Sequence, residues 1–125
     1  MKTIIQSNDA PAPIGPYSQA VKVGNTLYAS GQIALHPITG ELNMATLDEE
    51  THQVMANVRA VLAAADMDFS HVVKTTIFLK NMGDFAQVNG IYGSYFSSNF
   101  PARETVEVAG LPKGVNVEIS VIAVK

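Results

Sequence analysis

Two charged residues stand where charge is least expected. Glu118 lies in the run Val117-Glu118-Ile119-Ser120-Val121-Ile122, where burying an unpaired carboxylate would be costly. Arg103 follows Phe100-Pro101-Ala102 at the start of the preceding strand-like segment, and it is one of only two arginines. A guanidinium presents a planar fork that grips a carboxylate through parallel hydrogen bonds. A carboxylate in a partly dry site accepts and redelivers a proton. Together they suit a small anionic substrate whose conversion needs one proton moved. The same two residues could equally form a buried ion pair, or each reach solvent at a strand end, and pattern alone leaves these readings open.

Other chemistries find less support. The chain has no Cys, which excludes disulfides, thiolate nucleophiles and metal sites built on sulfur. His36, His52 and His71 lack metal-ligand spacing, so no metal is expected. Gly83, Gly90 and Gly93 fall in or beside a helical pattern rather than after a strand, so they do not make a phosphate loop. No Ser sits in a nucleophile-elbow pattern. Asp48, Glu49 and Glu50 read as solvated charges at a helix start. Eleven acids against eight bases give a net charge of -3, which argues against a nucleic-acid backbone as partner. Lys2, Ile4 and Ile5 are too short a stretch for a signal peptide, and no run approaches the roughly 18 apolar residues of a membrane span. The expectation is a cytoplasmic, non-membrane chain forming one domain over residues 1–125.

These residues must be positioned by a mixture of strands and helices. Three prolines in Ala10–Pro16 make a stiff loop that fixes Tyr17. Tyr17–Val23 and Thr26–Leu35 read as strands joined by the tight turn Gly24-Asn25. Thr46 and Glu49 have capping-box spacing, and Val54, Val58, Val61, Leu62 and Ala65 recur at helical spacing, which predicts a helix from Leu47 to Asp66. Arg59 falls beside that apolar stripe, in a solvated position. Val72–Lys80 reads as a strand, and Asp84–Ser97 as a second helix burying Phe85, Val88, Tyr92, Tyr95 and Phe96. Glu104–Ala109 and Val115–Val124 complete a β-β-α-β-α-β-β order, with room for a short strand at Lys2–Gln6. The last strand is apolar on both sides, yet two helices cover only one face of a sheet. The other face is therefore expected to pack against further copies of the chain.

Five motifs then carry a resemblance over the whole chain: Gly15-Pro16-Tyr17-Ser18-Gln19-Ala20, Ser30-Gly31-Gln32, Phe85-Ala86-Gln87-Val88-Asn89, Pro101-Ala102-Arg103 and Val117-Glu118-Ile119. In this order and spacing they resemble the RidA (YjgF) family. The resemblance implies an α+β, chorismate-mutase-like mixed sheet with two helices on one face, and a homotrimer with clefts between subunits. It implies 2-iminobutanoate/2-iminopropanoate deaminase activity, yielding 2-oxo acids and ammonia without a cofactor. It further implies Glu118, Arg103 and Tyr17 as catalytic residues, with Arg103, Thr105, Ser30, Gly31 and Asn89 around the substrate. Thr105 stands where the family often has Cys, and Glu104 where it usually has a small residue; alternation turns Glu104 away from Arg103. Two other functions remain open: a non-catalytic module holding small carboxylates, and a ribonuclease or translation inhibitor, which the acidic charge disfavours.

Overall fold

The computed structural model describes all of residues 1–125. Six strands form one mixed sheet: β1 (Lys2–Ile5), β2 (Ala20–Val23), β3 (Thr26–Ala29), β4 (Val72–Leu79), β5 (Ala102–Glu107) and β6 (Val117–Val124). Helices α1 (Leu47–Ala64) and α2 (Phe85–Gly93) complete the fold. The spatial order is β1-β2-β3-β6-β4-β5. β6 runs antiparallel to β3 and β4, while β4 and β5 are parallel and connected through α2. The turn before β6 therefore does not close a hairpin with β5, and the last strand sits inside the sheet, as its two-sided apolar pattern requires.

Local chemistry sets the element ends. Thr46 caps α1 by accepting the Glu49 N–H at 3.1 Å, and the acids of the first turn sit at the positive end of the helix. The helix stops at Ala64 rather than Asp66 because Asp66 adopts a left-handed conformation, φ 58°, and Met67 N–H bonds back to Leu62. Gly24 takes φ 58° in the two-residue turn between β2 and β3, a conformation a side chain would strain. β2 begins at Ala20, not Tyr17, because the proline-rich loop extends through Tyr17. β3 ends at Ala29, since Ser30 turns to bond Gln19 and Gln32 crosses to exchange two backbone bonds with Ile119. α2 ends at Gly93 rather than Ser97, in a tightened turn through Phe96. β5 starts at Ala102, two residues early, so Arg103 belongs to the strand. β6 starts at Val117, two residues late.

Alternation divides β6 cleanly. Val117, Ile119, Val121 and Ala123 are buried under the helices, against Val54, Val58, Val61 and Leu62 of α1 and Val88 and Tyr92 of α2. Glu118, Ser120, Ile122 and Val124 face the other way. The register puts Ile4, Val21, Tyr28, Ile122, Phe78 and Val106 on that uncovered face as well. Ile4 and Tyr28 are each 50% exposed there.

Buried polar groups tie loops to this frame. Asn57, fully buried on α1, donates to the carbonyls of Ile33 and Leu35 at 2.9 Å each. Replacing Asn57 with Leu should leave the Leu35 carbonyl without a donor, while the Ile33 carbonyl keeps the Leu35 N–H at 2.8 Å, at a cost of about 1–3 kcal/mol. Urea unfolding at fixed protein concentration measures this, and a loss under about 0.5 kcal/mol would contradict the assignment.

Candidate active site

Glu118 projects from the uncovered face of β6 into a cavity of about 400 Å³, within the range typical of small-ligand sites. Tyr17, Ser30, Gly31 and Gln32 line it, together with an apolar wall that includes Ile33 and Leu35. Gly31 leaves room for it: a methyl group on its Cα would overlap the Glu118 carboxylate, lying 2.8 Å from its Cδ, and would push that side chain aside. The carboxylate has no ion-pair partner, and burial pushes its pKa above the ordinary glutamate value. A carboxyl so placed is suited to accept a proton and return it.

The cavity wall is built by one side chain that the sequence motifs contained but chemistry did not single out. Gln19 is 3% exposed, and its amide donates to the Ser7, Ala10 and Pro11 carbonyls while accepting the Ser7 N–H at 2.6 Å. It thereby fastens the proline-rich loop that carries Tyr17. The Tyr17 ring is half exposed, with its hydroxyl accepting the Ile14 N–H at 3.4 Å. Ser30 spends its hydroxyl on the Ser18 carbonyl at 2.6 Å, so it shapes the wall.

Arg103 occupies a different place. Its partner on β4 is Thr75, whose partner on β6 is Val121, so Arg103 faces the helices. Glu118 pairs with Phe78, three residues along β4 and on the opposite face. The ion pair that the sequence left open does not form within the chain. Instead the Arg103 guanidinium lies over the rings of Phe85 (5.6 Å) and Tyr92 (5.2 Å) and donates to Asn89 Oδ1 at 2.6 Å. It forms no salt bridge, since the three ion pairs present join His71 to Asp68, Lys74 to Glu104 and Lys125 to Asp66. Asn89, Tyr92, Gly93, Phe100, Pro101 and Arg103 outline a second hollow. Thr105 follows on the same face of β5, with a buried hydroxyl oxygen that has no partner. Glu104 points away, to Lys74 at 3.0 Å.

The structure thus gathers Tyr17, Ser30, Gly31 and Glu118 at one hollow, and Arg103, Asn89 and Thr105 on the other side of the sheet. Arg59, the second arginine, is exposed and stacks over Phe69 and Tyr95 at 5.4 and 5.1 Å. No three His, Asp or Glu side chains converge as a metal site would need.

A six-stranded mixed sheet with two helices on one face, bearing a small-ligand cavity beside Glu118, defines a protein of the L-PSP/YjgF fold. The chain belongs to the RidA family, described as Endoribonuclease L-PSP, which matches residues 7–125. The bovine protein named 2-iminobutanoate/2-iminopropanoate deaminase is 48% identical over 125 residues, covering all of this chain and 91% of its own length. The structure of YyfA from Yersinia pestis, of the conserved Rid family, superposes with a TM-score of 0.97 at 49% identity over the whole of both chains. That of E. coli TdcF with bound serine gives 0.94 at 38% identity over 98% of each.

Because folded Glu118 holds its proton more tightly than the unfolded chain does, ionising it costs stability. Stability from this group is full below the ordinary glutamate pKa and is lost as pH rises through the raised value. Glu118→Gln should therefore be at least as stable as the parent above that window. Urea midpoints taken from about pH 4 to pH 8 test this. A variant less stable than the parent at the upper end would show that the carboxylate holds the fold together.

Proposed function

We propose that the protein hydrolyses reactive 2-imino and 2-enamino acids, such as 2-iminobutanoate and 2-iminopropanoate, to 2-oxo acids and ammonia. The observation that carries this reading is the pair of uncompensated charges: a guanidinium with no carboxylate and a carboxylate with no cation. A 2-imino acid supplies what each lacks, an anion for Arg103 and an electrophilic carbon for water activated by Glu118. The deaminase name of the bovine relative supports the same chemistry, as does the bound amino acid of TdcF.

With the imine nitrogen protonated, Glu118 accepts a proton from water as the water oxygen bonds to the imine carbon and the C=N electron pair moves to nitrogen, giving a neutral carbinolamine. The same carboxyl returns that proton to nitrogen, then takes up the carbinolamine hydroxyl proton as the C–N bond breaks. Ammonia leaves, the oxygen becomes the new carbonyl, and the last proton passes to ammonia or solvent. Arg103 anchors the substrate carboxylate, steadied by Asn89 and by the rings beneath it. Tyr17 flanks the reacting carbon, with Ser30 and Gly31 shaping the wall. Thr105 stands beside Arg103 on the same face, its buried hydroxyl oxygen without a partner. These steps need no cofactor.

Arg103 and Glu118 of one chain face opposite sides of the sheet, so a complete site requires two copies. We assign the uncovered apolar face to that contact, in the homotrimer the family resemblance implies, each cleft taking Glu118 from one copy and Arg103 from its neighbour. The family description names an endoribonuclease, but a net charge of -3 with only two arginines disfavours an RNA backbone.

The test generates 2-iminobutanoate in place with a threonine dehydratase and follows its disappearance. Glu118→Gln should lower kcat by about 10²–10⁴. Arg103→Ala should lower kcat/KM at least about 30-fold, the loss expected for a charged, hydrogen-bonded anchor. Equimolar Glu118→Gln and Arg103→Ala chains, unfolded and refolded together, should regain part of the activity, because mixed assemblies contain some intact clefts. No acceleration by the parent protein would defeat the enzymatic reading. Binding of 2-oxobutanoate without turnover would favour a carboxylate-holding module instead.

A further inference from the structure

The Glu118 side chain makes no hydrogen bond within the chain, so its backbone, paired with Phe78 on β4, and the wall at Gly31 decide where its carboxylate sits. On its C-terminal side the backbone is fixed by Ile119, which exchanges bonds with Gln32 at 2.8 and 3.1 Å. On its N-terminal side the Asn116 carbonyl accepts the Lys80 N–H at 3.0 Å, and the N–H groups are held by a residue that sequence reasoning treated as solvated. Glu50 is fully buried on α1. Its Oε2 accepts the backbone N–H of Asn116 at 2.8 Å and that of Val117 at 3.2 Å, and its Oε1 accepts Asn116 Nδ2 at 2.8 Å. Those two residues immediately precede Glu118.

Resting on the catalytic reading of Glu118 above, we infer that Glu50 is its positioning residue. A carboxylate in the helix layer clamps the first peptides of β6 and so fixes the catalytic carboxylate on the opposite face of the sheet. The chemistry fits the task. An ionised carboxyl is an acceptor only, and three N–H donors converge on this one. Its place in the first turn of α1 adds the positive end of the helix. A hydrophobic residue at this position would bury apolar surface equally well but leave two backbone N–H groups of the strand start without acceptors. The clamp also joins the two layers that the site must hold in register, the helices facing Arg103 and the strand carrying Glu118. Substrate anchoring depends on Arg103, which Glu50 does not touch. Loosening the clamp should therefore act on turnover rather than on binding.

The experiment uses the intact protein and the dehydratase-coupled assay, with 2-oxobutanoate binding and circular dichroism alongside. Asn116→Asp sets two acceptor-only groups against each other and opens the clamp from its more exposed side. It should lower kcat about 10- to 100-fold, as expected when a catalytic group is displaced by about an ångström, with KM and 2-oxobutanoate affinity changed less than about twofold. Adding Glu50→Gln to Asn116→Asp should restore most of kcat, because the introduced amide donates to the new carboxylate and its oxygen still accepts the two backbone N–H groups. Glu50→Ala should reproduce the loss of kcat; if it does not fold, Asn116→Asp and the double variant decide. Parental kcat in folded Asn116→Asp, or no recovery in the double variant, overturns the proposal provided that Glu118→Gln is inactive. Full turnover by Glu118→Gln would instead remove the catalytic assignment, and the positioning role with it.

Discussion

Everything at the candidate site depends on the alternation of side chains along one central strand. β6 is paired on both edges, so its register is fixed by two neighbours at once, and a slip of one residue would exchange its faces. Such a slip would drive Glu118 and Ser120 into the helix-covered core and expose Val117, Ile119 and Val121. The apolar cost of that exchange, about 1.5–3 kcal/mol for each large side chain, holds Glu118 on the uncovered face. The core therefore does more than stabilise the protein. It determines on which side of the sheet the only unpaired carboxylate within this strand appears.

The same rule separates Arg103 from Glu118. Both project from the sheet, but Thr75 and Phe78 of the strand between them have opposite parity. Flexing a side chain cannot bring them together, because the sheet itself lies between. Each charge is instead left in its own hollow with partial support: aromatic faces and an amide for the guanidinium, a desolvated wall for the carboxyl. Charges held apart in this way retain their capacity for a ligand, whereas a buried pair would satisfy itself. An uncovered apolar face on the side of Glu118 supplies the physical motive for a second copy to complete the arrangement.

Between these features runs a set of buried polar contacts. Gln19 fastens the N-terminal loop, Asn57 the segment after β3, and Glu50 the start of β6. Each spends its side chain on backbone groups of an irregular segment that the ladders leave unpaired. Glu50 and Asn57 are readable in the sequence as anomalies rather than as roles. Glu50 lies four residues before Val54, on the apolar stripe of α1, and that spacing contradicts a solvated charge. Asn57 falls on the same stripe. Their partners were not readable, because Asn116 is 66 residues from Glu50 and Ile33 is 24 residues from Asn57.

The sequence by itself determined the chemistry available and the local elements that carry it. It excluded thiol chemistry, set the helical stripe of α1, gave the last strand two apolar sides and marked Glu118 and Arg103 as out of place. These follow from residue type and short-range periodicity, which act within a few residues. Its errors were local too: α2 ran four residues too far because the apolar pattern continues through Phe96 after the helix has tightened and ended. Only the tertiary structure decided that β6 enters between β3 and β4, that Gly31 meets Glu118, and that Arg103 looks out from the other face. Those outcomes depend on strand order and register, which are set by packing among segments far apart in the chain, and no local pattern encodes which distant strand will be the neighbour.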